Sequence, residues 1–185
     1  MITGLFGGAF DPPHYGHVAL AREAKRRFGV DRLVVLVSEM PEHKTVQTAA
    51  EDRLALAEAA FPGDDVQLDV HPRTVDMLRA SDWENPLLLV GADQLAAFRR
   101  WKEPEAVLDM ARVAVATRPG LGLEELAAAL EELGRPDRIE LFEIEPWAVA
   151  SRELRARVAA GQSLDGLVPP EVAVEIERRG LYRRV

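Results

Sequence analysis

Two histidines, His14 and His17, stand three residues apart behind the segment Gly7-Gly8-Ala9-Phe10-Asp11-Pro12-Pro13. An imidazole donates hydrogen bonds to phosphate oxygens and stabilises charge that develops on them. A short apolar run from Ile2 to Phe6 breaks at the two glycines, and the chain turns through the prolines. It re-enters regular structure at Gly16, where Val18-Ala19-Leu20-Ala21 opens a helix-period pattern. Strand, glycine turn and helix start form the geometry in which main-chain N–H groups point at a phosphate. The pattern predicts a nucleotide site built for phosphoryl chemistry, with Gly8, Ala9, Phe10, His14 and His17 against the nucleotide.

Rival motifs fit less well. No Gly-Lys-Ser/Thr follows the turn, so it is not a P-loop. Asp11-Pro12-Pro13 stands where a dinucleotide fingerprint needs its later glycines. Asp11, His14 and His17 are also types that ligate metal, but that reading leaves the glycine turn unexplained and finds no cysteine beside the pair. The plainest alternative is a capping turn with incidental histidines. Against it, His14, His17 and His43 all fall in motif segments, leaving only His71 outside.

The segment resembles the H-x-G-H signature of the nucleotidylyltransferase superfamily. Its Gly-Gly-x-Phe-Asp-Pro-x-His-x-Gly-His form is similar to that of the bacterial nicotinate-mononucleotide adenylyltransferase family, and the likeness extends over nearly the whole chain. Pro41-Glu42-His43-Lys44 resembles the family's Pro-x-His-Lys loop, which implies phosphate contact for Lys44; on chemistry alone it is a compact mobile cation or a solvated loop lysine. Arg73-Thr74-Val75-Asp76-Met77-Leu78 resembles Thr-x-x-Thr-Leu, with Met77 in place of the second threonine. In the family, main-chain N–H groups here help hold the pyridine carboxylate, and Lys102 is expected nearby; Thr74 serves equally as a simple N-cap.

Gly91-Ala92-Asp93-Gln94 puts a carboxylate at a strand end, where it accepts from ribose hydroxyls, caps a helix, or does both. Trp101 is a core residue or a face on which an aromatic ring stacks; its setting in Phe98-Arg99-Arg100-Trp101-Lys102-Glu103 and the family's pattern favour stacking on the nicotinate ring. Arg118-Pro119-Gly120 resembles a family turn whose arginine serves the site or a helix end. Val149-Ala150-Ser151-Arg152-Glu153-Leu154-Arg155 resembles Ile-Ser-Ser-Thr-x-Ile-Arg. Ser151 and Arg155 match, and the resemblance gives Arg155 the outer phosphates of ATP; Ala150 and Arg152 replace two hydroxyls. Gly161, Leu167-Val168-Pro169 and Gly180-Leu181-Tyr182 resemble the family's C-terminal end.

The elements that position these residues follow from periodicity. Strands are expected at Ile2–Gly7, Arg32–Val37, Val66–Val70, Pro86–Val90, Arg112–Ala116 and Arg138–Ile144. Helices are expected at Val18–Phe28, Ala49–Ala60, Thr74–Ser81, Asp93–Arg100, Pro104–Met110 and Leu123–Leu133, with a helical tail from Ser151 broken near Gly161–Pro170. The alternation predicts one Rossmann-like α/β domain over 1–185, a doubly wound parallel sheet with a small helical C-terminal piece over 146–185. Ligands of such sheets bind beyond the C-terminal strand ends, and every motif above follows one.

Composition sets the outer bounds. With 48% hydrophobic and 29% charged residues, the 185-residue chain is an ordinary globular one. It has no cysteine, which excludes disulfides and thiol catalysis and suits a reducing cytosol. A net charge of −8 argues against a nucleic-acid polymer as partner, and no apolar stretch suits a membrane span or signal peptide. The expected setting is cytoplasmic. The resemblance implies that ATP and nicotinate mononucleotide combine to give the dinucleotide and pyrophosphate, with Mg2+ carried on ATP. A nicotinamide-preferring enzyme, a sister enzyme acting on a phosphopantetheine and a non-catalytic nucleotide-binding paralogue are the alternatives.

Overall fold

The structure is a computed structural model that describes residues 1–41, 46, 48–117 and 135–183. Lys44, Arg118 and the helix expected over 123–133 lie outside the described residues. Six strands form one all-parallel sheet: β1 (Thr3–Gly8), β2 (Arg32–Ser38), β3 (Asp65–Asp69), β4 (Pro86–Gly91), β5 (Arg112–Thr117) and β6 (Ile139–Glu143). Their order is β3-β2-β1-β4-β5-β6, so the winding reverses between β1 and β4. A reversal of this kind opens a crevice at the C-terminal strand ends, where ligands of doubly wound sheets bind.

The period-two alternation of each strand feeds two cores. Phe6, Leu33, Val35, Val37, Leu87 and Leu89 face one side, where they pack on α1 (Tyr15–Phe28), α2 (Ala50–Ala60), α6 (Ser151–Ala159) and α7 (Pro170–Arg179). Leu5, Val34, Leu36, Leu88 and Val90 face the other, against α3 (Thr74–Ala80), α4 (Ala92–Phe98) and α5 (Pro104–Met110). Both faces of the sheet are therefore dry, which is why its central strands read as unbroken apolar runs. All six expected strands and each expected helix among the described residues are present, with ends shifted by a few positions.

One boundary shift bears on the site. Gly7 and Gly8 do not break β1; they pair with Leu36 and Val37 as its last two residues. The turn itself is made by Ala9–Pro13, with Phe10 in the left-handed region at φ 50°. α1 starts at Tyr15, and its basic last turn closes on Gly29, a left-handed C-cap at φ 61°. That position needs a residue free of Cβ strain.

Candidate active site

A cavity of about 860 Å³ opens at the reversal point. Gly7, Gly8, Ala9, Phe10, Asp11, His14, Gly16 and His17 line it from the β1–α1 connection, and Gly91 and Asp93 from the end of β4. Thr74 and Trp101 line it from the opposite helical layer, and Ser151 and Arg155 from α6. Residues from five separated stretches of chain thus meet in one space.

The histidines are fixed by the helix they begin. His14 is the N-cap of α1, with extended main-chain angles, and His17 is the third helical residue. The main-chain N–H of His14 donates to Nδ1 of His17 at 3.2 Å, the return half of a capping box. An Nδ1 that accepts carries no proton, so the neutral ring of His17 holds its proton on Nε2 and can donate from there. The two imidazoles lie 3.8 Å apart between centroids, tilted by 32°. Phe10 packs edge-on against His17 at 5.2 Å. Gly16 explains its own place in the signature: a Cβ there would come within 3.0 Å of Cε1 and Nδ1 of His14. The ring of His14 lies across the bare Cα, and a side chain would push it away.

On the far side of the turn, α6 grips the main chain. Ser151 Oγ donates to the Pro12 carbonyl at 2.9 Å, and Arg155 Nη1 donates to the Asp11 carbonyl at 2.7 Å. Arg155 also lies 3.8 Å from the Asp11 carboxylate, which is only 3% exposed. A guanidinium carries five N–H donors, so anchoring one edge leaves the others for phosphate oxygens. Ala150 and Arg152, the two departures from the family's hydroxyls, also line the cavity.

The expected caps shift by one residue in α3 and by two in α4. Arg73, not Thr74, is the N-cap of α3, and Gly91, not Asp93, caps α4. Capping requires extended main-chain angles, which Arg73 and Gly91 have; Thr74 and Asp93 are already helical. Both still line the cavity, and Asp93 is exposed there in the first turn of α4. Trp101 meets the core and the cavity alike. It packs against the core beside Phe98, at 4.8 Å between ring centroids, and also lines the cavity. Lys102 is not brought into the cavity: its ammonium donates to both carboxylate oxygens of Asp76, at 2.9 and 3.2 Å, on the outer side of α3.

Two features escape a reading of the sequence. Arg53 is 1% exposed, and its guanidinium donates to the carbonyls of Ala9, Ser38, Glu39 and Thr48. It ties the Ala9–Pro13 turn to the chain leaving β2, and its burial pulls its pKa down from the usual arginine value. The signal was its helical phase, since Leu56, Ala57 and Ala60 continue the same buried stripe of α2. The second is a pair at the end of β3, where His71 Nδ1 and Asp69 Oδ1 lie 2.8 Å apart in the cavity wall.

Comparison with known proteins identifies the family. Residues 5–157 match the cytidylyltransferase-like family model. A probable nicotinate-nucleotide adenylyltransferase of Bordetella avium is 38% identical over 193 residues, covering 97% of each chain. One from Symbiobacterium thermophilum is also 38% identical, over 98% of this chain and 95% of its own. The Plasmodium falciparum nicotinic acid mononucleotide adenylyltransferase complexed with NaAD superposes with a TM-score of 0.76 at 16% identity, over 98% of this chain and 97% of that one, a likeness of fold. With the H-x-G-H pair seated at the reversal point of such a sheet, the chain belongs to the nicotinate-nucleotide adenylyltransferase family of cytidylyltransferase-like proteins.

Proposed function

We propose that the protein joins ATP and nicotinate mononucleotide to give nicotinate adenine dinucleotide and pyrophosphate, and that this cavity is where it does so. The observation that carries the reading is the continuity of the cavity: the histidine turn and Arg155 line it together with Thr74 and Trp101. A phosphate site and an aromatic platform in one space suit two substrates that must meet. The names of the relatives and the NaAD complex of the structural neighbour support the same pair.

A phosphate oxygen of the mononucleotide attacks the α-phosphorus of ATP; its bond to phosphorus forms as the bond to the β-phosphate bridging oxygen breaks, and pyrophosphate leaves with that electron pair. The nucleophile is already ionised at neutral pH, so no base has to create it. Alignment and charge stabilisation are what remains for the protein to supply. His17 donates from Nε2 toward the α-phosphate oxygens, with His14 beside it. Arg155, anchored on Asp11, faces the departing pyrophosphate. Lys44 would add a cation there. Gly8, Ala9 and Phe10 border the phosphates, and Asp93 and Ser151 the rest of ATP. Mg2+ enters with ATP as part of that substrate, held by its phosphates and water. Among the described residues no three His, Asp or Glu side chains converge on a metal position, and no helix is long and apolar enough to cross a membrane.

Main-chain N–H groups at the start of α3 read the pyridine carboxylate, since an anion gains about 1.5–3 kcal/mol from charge-assisted bonds and a neutral amide about half. Pyrophosphate release from ATP and magnesium, with each mononucleotide supplied separately, tests the reading. Nicotinate mononucleotide should be favoured by about tenfold or more in kcat/KM. Release with neither mononucleotide overturns the activity; equal values overturn the acid preference alone.

A further inference from the structure

The C-terminal Gly180-Leu181-Tyr182 segment has no part in the chemistry above, yet it ends against the phosphate turn. Gly180 caps α7 at φ 65°, and the Leu181 N–H closes back on the Ile176 carbonyl at 3.0 Å. This reversal turns the chain inward and leaves Tyr182 in the left-handed region at φ 61°. A bulky residue stays there only when its surroundings hold it. What holds it is a hydrogen bond across 171 positions: Tyr182 Oη donates to Asp11 Oδ1 at 2.7 Å. Burial pushes the tyrosine pKa well up, so the hydroxyl remains a donor wherever the enzyme works.

Asp11 is the joint. Its carboxylate takes the Tyr182 hydroxyl on one oxygen, and the other lies 3.8 Å from Arg155. Its carbonyl anchors the same guanidinium. From this geometry we infer that Tyr182 is a positioning residue for adenylyl transfer: it fixes Asp11, and through Asp11 it aims Arg155 at the phosphates. The inference rests on the adenylyl-transfer reading for its meaning. It also predicts a binding effect that is independent of turnover.

Tyr182→Phe removes one hydroxyl and keeps the ring. It should lower kcat about tenfold while the KM for the mononucleotide moves less than about twofold, because a misaimed donor costs most where charge develops. Affinity for inorganic pyrophosphate, measured by calorimetry, should fall about fivefold. In an Arg155→Ala background, Tyr182→Phe should add nothing to either loss, since two residues acting as one unit are not additive. Arg179→Ala is the control. It cuts the Arg179–Asp52 pair of 2.6 Å on α7, loosening the same helix without touching Asp11. It should lower Tm with kcat unchanged.

If Tyr182→Phe leaves kcat and pyrophosphate affinity intact, or adds its full loss without Arg155, the inference is overturned. Equal kcat losses in Arg179→Ala and Tyr182→Phe also overturn it, in favour of a merely loosened helix. Should Tyr182→Phe not fold, Asp11→Asn, which keeps an acceptor for the hydroxyl, should lose at least about threefold less kcat than Asp11→Ala, which keeps none. Equal losses in those two overturn the inference. A wild-type enzyme that releases no pyrophosphate sinks the adenylyl-transfer reading, while the coupling of Tyr182 to Arg155 in pyrophosphate binding still decides the tether.

Discussion

The two ends of the cavity are held together by different kinds of interaction. At the end proposed for the phosphates, distant segments lock onto a buried turn: Ser151 and Arg155 grip the Pro12 and Asp11 carbonyls, Tyr182 reaches Asp11, and Arg53 holds Ala9. At the end proposed for the pyridine ring, polar contacts are short-range or exposed. His71 pairs with Asp69 two residues away, and Lys102–Asp76 and Arg79–Glu103 lie on the surface. Catalysis by electrostatic preorganisation needs donors that do not have to reorganise as charge develops, which is what a buried, cross-linked turn supplies. Recognition of a ring and a carboxylate needs only a flat face and oriented amides, the parts that the proposed function gives to Trp101 and the start of α3. The phosphate end should therefore fail in turnover when altered, and the pyridine end in affinity.

The largest break in that comparison is His17→Ala. It removes the Nε2 donor and should lower kcat by about 100-fold or more, the scale of losing one charge-stabilising donor. ATP affinity should fall far less, because many main-chain groups share the ground state. Single-turnover kinetics and equilibrium ATP binding separate the two quantities. Turnover within a few-fold of wild type would remove the histidine from the mechanism and dissolve the distinction between the ends.

Trp101→Ala probes the other end. Loss of a stacking face weakens a ring by about 1–3 kcal/mol, so mononucleotide affinity should fall by about 5- to 150-fold while ATP affinity barely moves. Trp101 also packs beside Phe98 at 4.8 Å, so some stability should be lost as well. If the variant unfolds and its folded fraction still binds the mononucleotide normally, the ring serves the core alone.

Gly16→Ala tests whether the signature's glycine matters through packing. The new Cβ would stand 3.0 Å from two atoms of the His14 ring, tight enough that the ring has to shift. A displaced imidazole, still beside His17, should cost about tenfold in kcat, since misplacing a catalytic group by a fraction of an ångström to 1 Å costs up to about 100-fold. Helix propensity works in the opposite direction, as alanine is favoured over glycine inside a helix. A Tm equal to or above wild type together with a lower kcat would place the effect on His14 alone. Unchanged kcat would mean that His14 need not lie where it does.

The same contrast explains what the sequence revealed. The sheet was legible because burial on both faces leaves strands such as Leu33–Val37 uniformly apolar, and the turn was legible because its chemistry is local in sequence. The helix start at Thr74 was legible, but the caps expected at Thr74 and Asp93 fall one and two residues earlier, because neighbouring positions carry plausible residues and only main-chain angles distinguish them. The partners of Arg53 and Tyr182 were invisible for another reason. Those of Arg53 lie 5 to 44 positions away in separate segments and that of Tyr182 171 away, and no spacing rule connects them. Periodicity could have placed Arg53 on the buried stripe of α2, but what it binds there emerges only when β1 and β2 lie side by side. Lys102 is a different case: the family resemblance alone set it near the pyridine carboxylate, while in the structure its ammonium pairs with Asp76.

Lys102 supplies the smallest and sharpest test. Its side chain is 46% exposed and that of Asp76 30%, so their ion pair is screened by water and contributes about 0.5 kcal/mol at most. Lys102→Ala should shift Tm by only about 1–2 °C in a chain of this size. Asp76, left without its lysine, still sits in the first turn of α3, where a carboxylate complements the helix N-terminus. Because Lys102 does not line the cavity, KM for nicotinate mononucleotide should change less than about twofold and the preference for acid over amide should persist. Steady-state kinetics with both mononucleotides, at fixed ATP and magnesium, measure this directly. A rise of about fivefold or more in KM for the acid, with none for the amide, would mean that the ammonium leaves Asp76 to meet the pyridine carboxylate. The pyridine end would then assemble on binding, while the phosphate end stands assembled beforehand, and the difference between the two would be one of timing as well as burial.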